Sequence, residues 1–167
     1  YSKNDTGGSV SGNPGQIILA NSTGVLITNK NVSNGSNGIL LGFSTNITIS
    51  NNICSNNNQY GIRLGSSSGN NQIVNNTCNN SGYMGIYVYT GSNNNSIANN
   101  TFNDNANFGI FLKSRNNTLV NNTCLNNGVG IGFRYQYEDS GNYVYNSTIQ
   151  NSTNYDFELR DSPGSVV

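Results

Sequence analysis

The chain has 167 residues, seven basic and seven acidic side chains, three cysteines and no histidine. Balanced charge removes the basic footprint of a nucleic-acid binder and the polybasic face of a membrane-surface protein, and the missing histidine removes His-based metal centres and Ser-His or Cys-His nucleophiles. Asparagine makes up roughly a fifth of the residues, a bias that gives disorder when the apolar residues are scattered; here they recur in register.

Residues 1–15, YSKNDTGGSVSGNPG, carry Gly and Pro punctuation without an apolar period and read as an irregular lead-in. From Gln16 the pattern changes: Ile17 and Leu19 form a first inward pair, Val25 and Ile27 a second. Alternation over four or five residues between Asn, Gly and Ser clusters predicts short half-buried strands. The unit is clearest in Gly61 to Met84, GIRLGSSSGNNQIVNNTCNNSGYM, set above Gly85 to Phe108, GIYVYTGSNNNSIANNTFNDNANF. It also runs from Gly38 to Tyr60, from Gly109 to Val129 and, stretched, from Gly130 to Tyr155. A period of roughly 21 to 26 residues marks a stacked repeat in which each unit buries its apolar side against its neighbours.

Four inward columns follow. The first strand of each rung contributes Ile39, Ile62, Ile86, Ile110, Ile131 and Phe157, then Leu41, Leu64, Val88, Leu112, Phe133 and Leu159. A second strand contributes Ile27, Ile49, Ile73, Ile97, Leu119 and Val144; a third contributes Val32, Cys54, Cys78, Phe102, Cys124 and Ile149. Asparagine pairs such as Asn75-Asn76 and Asn99-Asn100, and the column Asn71, Asn95, Asn117, Asn142, stand at the turns. Asparagine tolerates left-handed backbone, and its amide can bond the rungs above and below, so these residues read as turn builders.

The Gly-Ile-x-Leu and Asn-Asn-Thr columns resemble the parallel β-helix repeat of the pectate-lyase-like superfamily, in the Asn-rich, short-rung form of NosD-like periplasmic proteins and archaeal cell-surface proteins. The expectation is an all-β, right-handed parallel β-helix of about six rungs over residues 16–160, with a short tail at 161–167. That superfamily includes lyases, hydrolases, epimerases, adhesins and structural modules, so the resemblance leaves function open.

The outward positions carry the candidate site. One column reads Leu40, Arg63, Tyr87, Phe111, Gly132, Glu158; the next reads Gly42, Gly65, Tyr89, Lys113, Arg134, Arg160, with Tyr135 and Tyr137 beyond. In the β-helix enzymes this repeat resembles, this is the face along which a polysaccharide lies. Aromatic rings stack on the apolar side of a pyranose, and guanidinium groups fork onto carboxylates or sulfates. The same residues also read as plain cross-strand pairing and solubility. Acids are few and five of the seven lie toward one end, at Glu138, Asp139, Asp156, Glu158 and Asp161, so no catalytic set is assigned. No cofactor and no metal is expected: the Asp-rich turns that hold calcium are missing, and Phe102 interrupts the cysteine column. Cys54 and Cys78 read as buried thiols, with a disulfide between them as the alternative. Asn46, Asn99, Asn121 and Asn146 head glycosylation sequons.

No apolar run reaches the ~20 residues that span a bilayer, and no signal peptide is visible. The chain starts at Tyr1, which points to a processed form or a piece of a longer parent. Neither end carries a capping helix, leaving open strand edges. The expectation is an exported or cell-surface structural or adhesive module, periplasmic in a bacterium, that associates with itself end to end or laterally, with neither nucleic-acid partner nor membrane insertion. The alternative is a polysaccharide-active enzyme or a passive carbohydrate-binding module using the Arg/Tyr face.

Overall fold

The computed structural model describes residues 2–3, 8–10, 12, 15–134, 141–160 and 164. Among them the regular elements are strands: β1 (Ser2–Lys3), β2 (Ile17–Ala20), β3 (Leu26–Thr28), β4 (Asn37–Gly42), β5 (Thr48–Ser50) and β6 (Tyr60–Gly65). Next come β7 (Gln72–Val74), β8 (Met84–Val88), β9 (Ser96–Ala98), β10 (Phe108–Leu112) and β11 (Thr118–Val120). The last are β12 (Thr123–Leu125), β13 (Val129–Arg134), β14 (Tyr143–Tyr145), β15 (Thr148–Gln150) and β16 (Tyr155–Arg160). No helix among the described residues is long and apolar enough to cross a membrane.

All strand pairings are parallel. The long sheet has eight strands in the order β1-β2-β4-β6-β8-β10-β13-β16, a second has six in the order β14-β11-β9-β7-β5-β3, and β12 pairs with β15. The chain is thus an all-β parallel β-helix of about six turns. The register places Ile39 on Ile62, Ile62 on Ile86, and Leu64 on Val88, as the inward columns require. These columns form one continuous core from Val10 to Val144. Each fully buried Ile or Leu contributes roughly 1.5–3 kcal/mol. Two parts of the lead-in join the coil: β1 pairs with β2, and Val10 is buried. At the other end Phe157 packs against the core, but Leu159, though in register with Phe133, is 49% exposed.

The asparagine pairs divide their labour. The first member turns the chain, with Asn51, Asn75 and Asn99 at φ 56° and Asn121 at 54°; the second is buried and bridges rungs. Asn52, Asn76 and Asn100 each donate their backbone N–H to the Oδ1 of the next asparagine, at 3.0, 2.8 and 3.0 Å. Their side-chain amides donate to the same oxygens at 3.0, 3.0 and 3.1 Å. The column Asn71, Asn95, Asn117, Asn142 repeats the backbone bonds at 2.9 Å per step. It stops at Ile47, whose N–H donates to Asn71 Oδ1 at 2.8 Å while its own side chain joins the core. A third ladder, through Asn105 and Asn127, has no counterpart in the expectation and holds Ser81 N–H at 2.9 Å. Each such bond spares a buried backbone donor the roughly 1–3 kcal/mol of going unpaired.

Candidate functional site

The outward face of the long sheet carries three side-chain columns. Two are those expected from alternation, through Arg63, Tyr87, Phe111 and Glu158, and through Tyr89, Lys113, Arg134 and Arg160. The third is Tyr60, Met84, Phe108, Val129 and Tyr155. It exists because each long strand bends at a glycine. Tyr60 pairs with Met84 and Ile62 with Ile86, and the glycine between them is skipped. Gly61 faces inward: a Cβ there would lie 2.5 Å from Cys78 Cβ and 2.7 Å from Gly85 O. With Gly61 and Ile62 both turned in, Tyr60 and Arg63 both point out, and strict alternation misses the first of them.

Met84, Phe108, Phe111 and Val129 form a second apolar cluster on this face, with Tyr60 and Tyr87 packed against it. Tyr87 stacks on Tyr60 at 5.7 Å and on Phe111 at 5.4 Å, and Phe108 meets Phe111 at 4.5 Å. Gly132 lets this happen, because a Cβ there would strike the Phe108 ring. Cations lie over the rings: Arg63 sits 5.6 Å from the Tyr60 centroid and 6.0 Å from those of Tyr87 and Tyr89. Lys113 lies 5.9 Å over Tyr89, and Arg134 5.9 Å over Phe111. Such contacts contribute roughly 0.5–2 kcal/mol each, more as water is excluded. Burial pushes the Tyr87 hydroxyl up to about 12, Tyr89 and Tyr60 adding to the rise and Arg63 opposing it. Tyr60 is raised by the same burial. Both phenols are therefore protonated donors at neutral pH.

Toward β16 the face opens into a groove of about 420 Å³ with a floor of Met84, Phe108 and Phe111 and a rim of Arg134, Glu158 and Arg160. Glu158 Oε1 accepts from Arg160 Nε at 2.7 Å and lies 3.4 Å from Arg134 Nη2. Its side chain is 10% exposed against 39% and 55% for the two arginines, so the carboxylate is enclosed while the cations reach solvent.

Of the residues singled out in the sequence, the structure gathers Arg63, Tyr87, Tyr89, Phe111, Lys113, Arg134, Glu158 and Arg160 on this one face. Phe111 is buried as floor, not exposed as a platform. Tyr135, with Tyr137, Glu138, Asp139 and Asp161, falls outside the described residues. Cys54, Cys78 and Cys124 are buried free thiols. Asn46, Asn99, Asn121 and Asn146 are exposed and take left-handed angles of 50–56°.

The family model for the periplasmic copper-binding protein NosD matches residues 2–162. The chain belongs to the NosD family. Among solved structures, a double mutant of the periplasmic alginate epimerase AlgG superposes with a TM-score of 0.78 at 23% identity, covering 96% of this chain and 44% of that one. A single mutant of the same epimerase gives 0.78 at 22% identity, with the same coverage. This NosD-family chain therefore spans under half the length of those structures, and the likeness shows the shared fold. No curated protein matches the sequence.

The family's description names copper, which needs soft or imidazole donors converging on one point. Among the described residues no three His, Cys, Asp or Glu side chains gather. The Cys78 thiol is pushed well up by burial and by its hydrogen bond to Cys54, and Cys124 is pushed up by burial; both effects oppose the thiolate that would bind metal. With Phe102 packed between Cys78 and Cys124 in the column, these residues do not fit a copper centre.

Proposed function

We propose that this NosD-family chain is a β-helix module working outside the cytoplasm that holds an acidic polysaccharide along the outward face of its long sheet. The observation that carries this is the interleaving of Arg63, Lys113, Arg134 and Arg160 with stacked rings on one face. Ring faces suit the apolar side of a pyranose, and the guanidinium groups suit its carboxylates or sulfates. The family's periplasmic description and the likeness to an alginate epimerase support the same direction. Holding is favoured over turnover because Glu158, the one carboxylate among the described residues of the outward columns, is tied to two arginines.

The test is titration with polygalacturonate, alginate and neutral dextran. Binding to the acidic polymers that weakens with salt, and none to dextran, is expected. Arg134→Ala with Arg160→Ala, made together with Glu158→Gln so that the enclosed carboxylate is not left unpaired, lowers affinity about tenfold or more. Equal binding to dextran, or none to either acid, overturns the reading. Unsaturated sugar ends in the mixture would replace it with a lyase.

A second reading, a structural module stacking end to end, is favoured by one observation: Leu159 continues an inward column yet is 49% exposed. Filaments in electron micrographs at high concentration are its expected result, and discrete short particles count against it.

A further inference from the structure

At the opposite end of the same face lies a trough of about 260 Å³, floored by Ala20, Leu40, Gly42 and Gly65 and bordered by Phe43 and Arg63. Three features there have no structural explanation. Phe43 is 64% exposed, the most exposed large apolar residue among those described, and stands at φ 50°. Every other non-glycine left-handed residue described is Asn, Asp or Ser, and the equivalent turn one rung earlier holds Asn21 at φ 49°. A bulky residue is strongly disfavoured there, and such an outlier points to function. Gly42 is a strand glycine outside the left-handed region whose added Cβ would meet nothing within 4 Å. Neither backbone nor packing demands glycine, whereas an open floor does. Finally, Arg63 Nε is buried without a hydrogen-bond partner among the described residues, a state that costs free energy until an acceptor arrives.

We infer that Phe43, Gly42, Gly65 and Arg63 form a second sugar subsite, in which Phe43 stacks on the apolar face of one pyranose ring of an anionic polysaccharide. The missing side chains at Gly42 and Gly65 let the ring lie on the sheet. Arg63 supplies a donor and positive charge to the ring's acidic substituent, which sets an acidic sugar above a neutral one. This rests on the polysaccharide reading above and extends it: from β6 to β13 is three strand steps, about 14 Å, so a long oligosaccharide reaches both subsites and a disaccharide does not.

The experiment measures octagalacturonate affinity and thermal melting for the wild type, Phe43→Asn and Gly42→Val. Asparagine suits the left-handed turn and valine suits the strand, so both variants are expected to melt at or above the wild-type temperature. Both are also expected to bind the octamer about tenfold more weakly. Unchanged affinity in the variants, with the wild type binding, overturns the subsite and leaves the polysaccharide reading standing. A fall of several degrees in Phe43→Asn makes Phe43 a packing residue and likewise overturns it. A wild type that binds no octagalacturonate overturns both.

Discussion

The buried turn ladders and the outward face of the long sheet stack residues on the same frame, rung over rung, and differ in how faithfully they repeat. Along one ladder the residues are Asn52, Asn76, Asn100 and Asn122, each bonding the next at 2.8–3.0 Å through the backbone. Along one outward column they are Leu40, Arg63, Tyr87, Phe111, Gly132 and Glu158. A ladder position answers to the backbone groups beside it, which are the same in every rung, and it is filled by a side chain that both accepts and donates, a carboxamide here and a hydroxyl at Ser147. An outward position answers to solvent or ligand. In this rod repetition therefore marks what holds the coil together, and departure from repetition marks where to look for recognition.

The sharpest way to break that contrast is Asn100→Ala. Asn100 Oδ1 holds the Asn76 N–H at 2.8 Å, and its amide donates to Ile73 O at 2.9 Å, both buried. Leaving several such groups unpaired costs about 3–5 kcal/mol, read by chemical denaturation; a loss below about 1 kcal/mol would mean that the ladders are not essential. Its neighbour sharpens the comparison: Asn99 is exposed at φ 56°, and Asn99→Ala forfeits only tolerance of the left-handed angle, about 1 kcal/mol.

The smallest effect belongs to the outer face and follows pH. The folded Tyr87 hydroxyl titrates near 12 against an ordinary 10.0. In that interval the unfolded chain gives up the proton first, so this contribution to stability is whole below pH 10 and is lost as pH rises toward 12. Phenolate absorbance in Tyr87→Phe against the wild type isolates it: the component near pH 12 is lost if the packing is as described, while Tyr60, also raised by burial, still titrates late.

The inward columns were legible because burial leaves a two-residue alternation, and every rung agreed on it. Turn asparagines were legible as a class, but not their division into a left-handed member and a bonded one, since Asn75 and Asn76 look alike until the backbone turns one outward. The column through Tyr60, Met84 and Phe108 escaped because the bend at Gly61 and its equivalents breaks the alternation on which outward residues were assigned. The Asn105–Asn127 ladder escaped because Ser81 interrupts its column. Gly42 looked like an ordinary member of the repeat; only the empty space above it separates it from Gly61, which is hemmed in by Cys78.

Along the asparagine ladders each Oδ1 accepts from the preceding rung, while the side-chain amide donates both to the Oδ1 of the following rung and to a backbone carbonyl of the preceding one. Each carboxamide is therefore clamped between two rungs, and the bonds along a ladder polarise one another, so that loosening one rung weakens the hold on its neighbours.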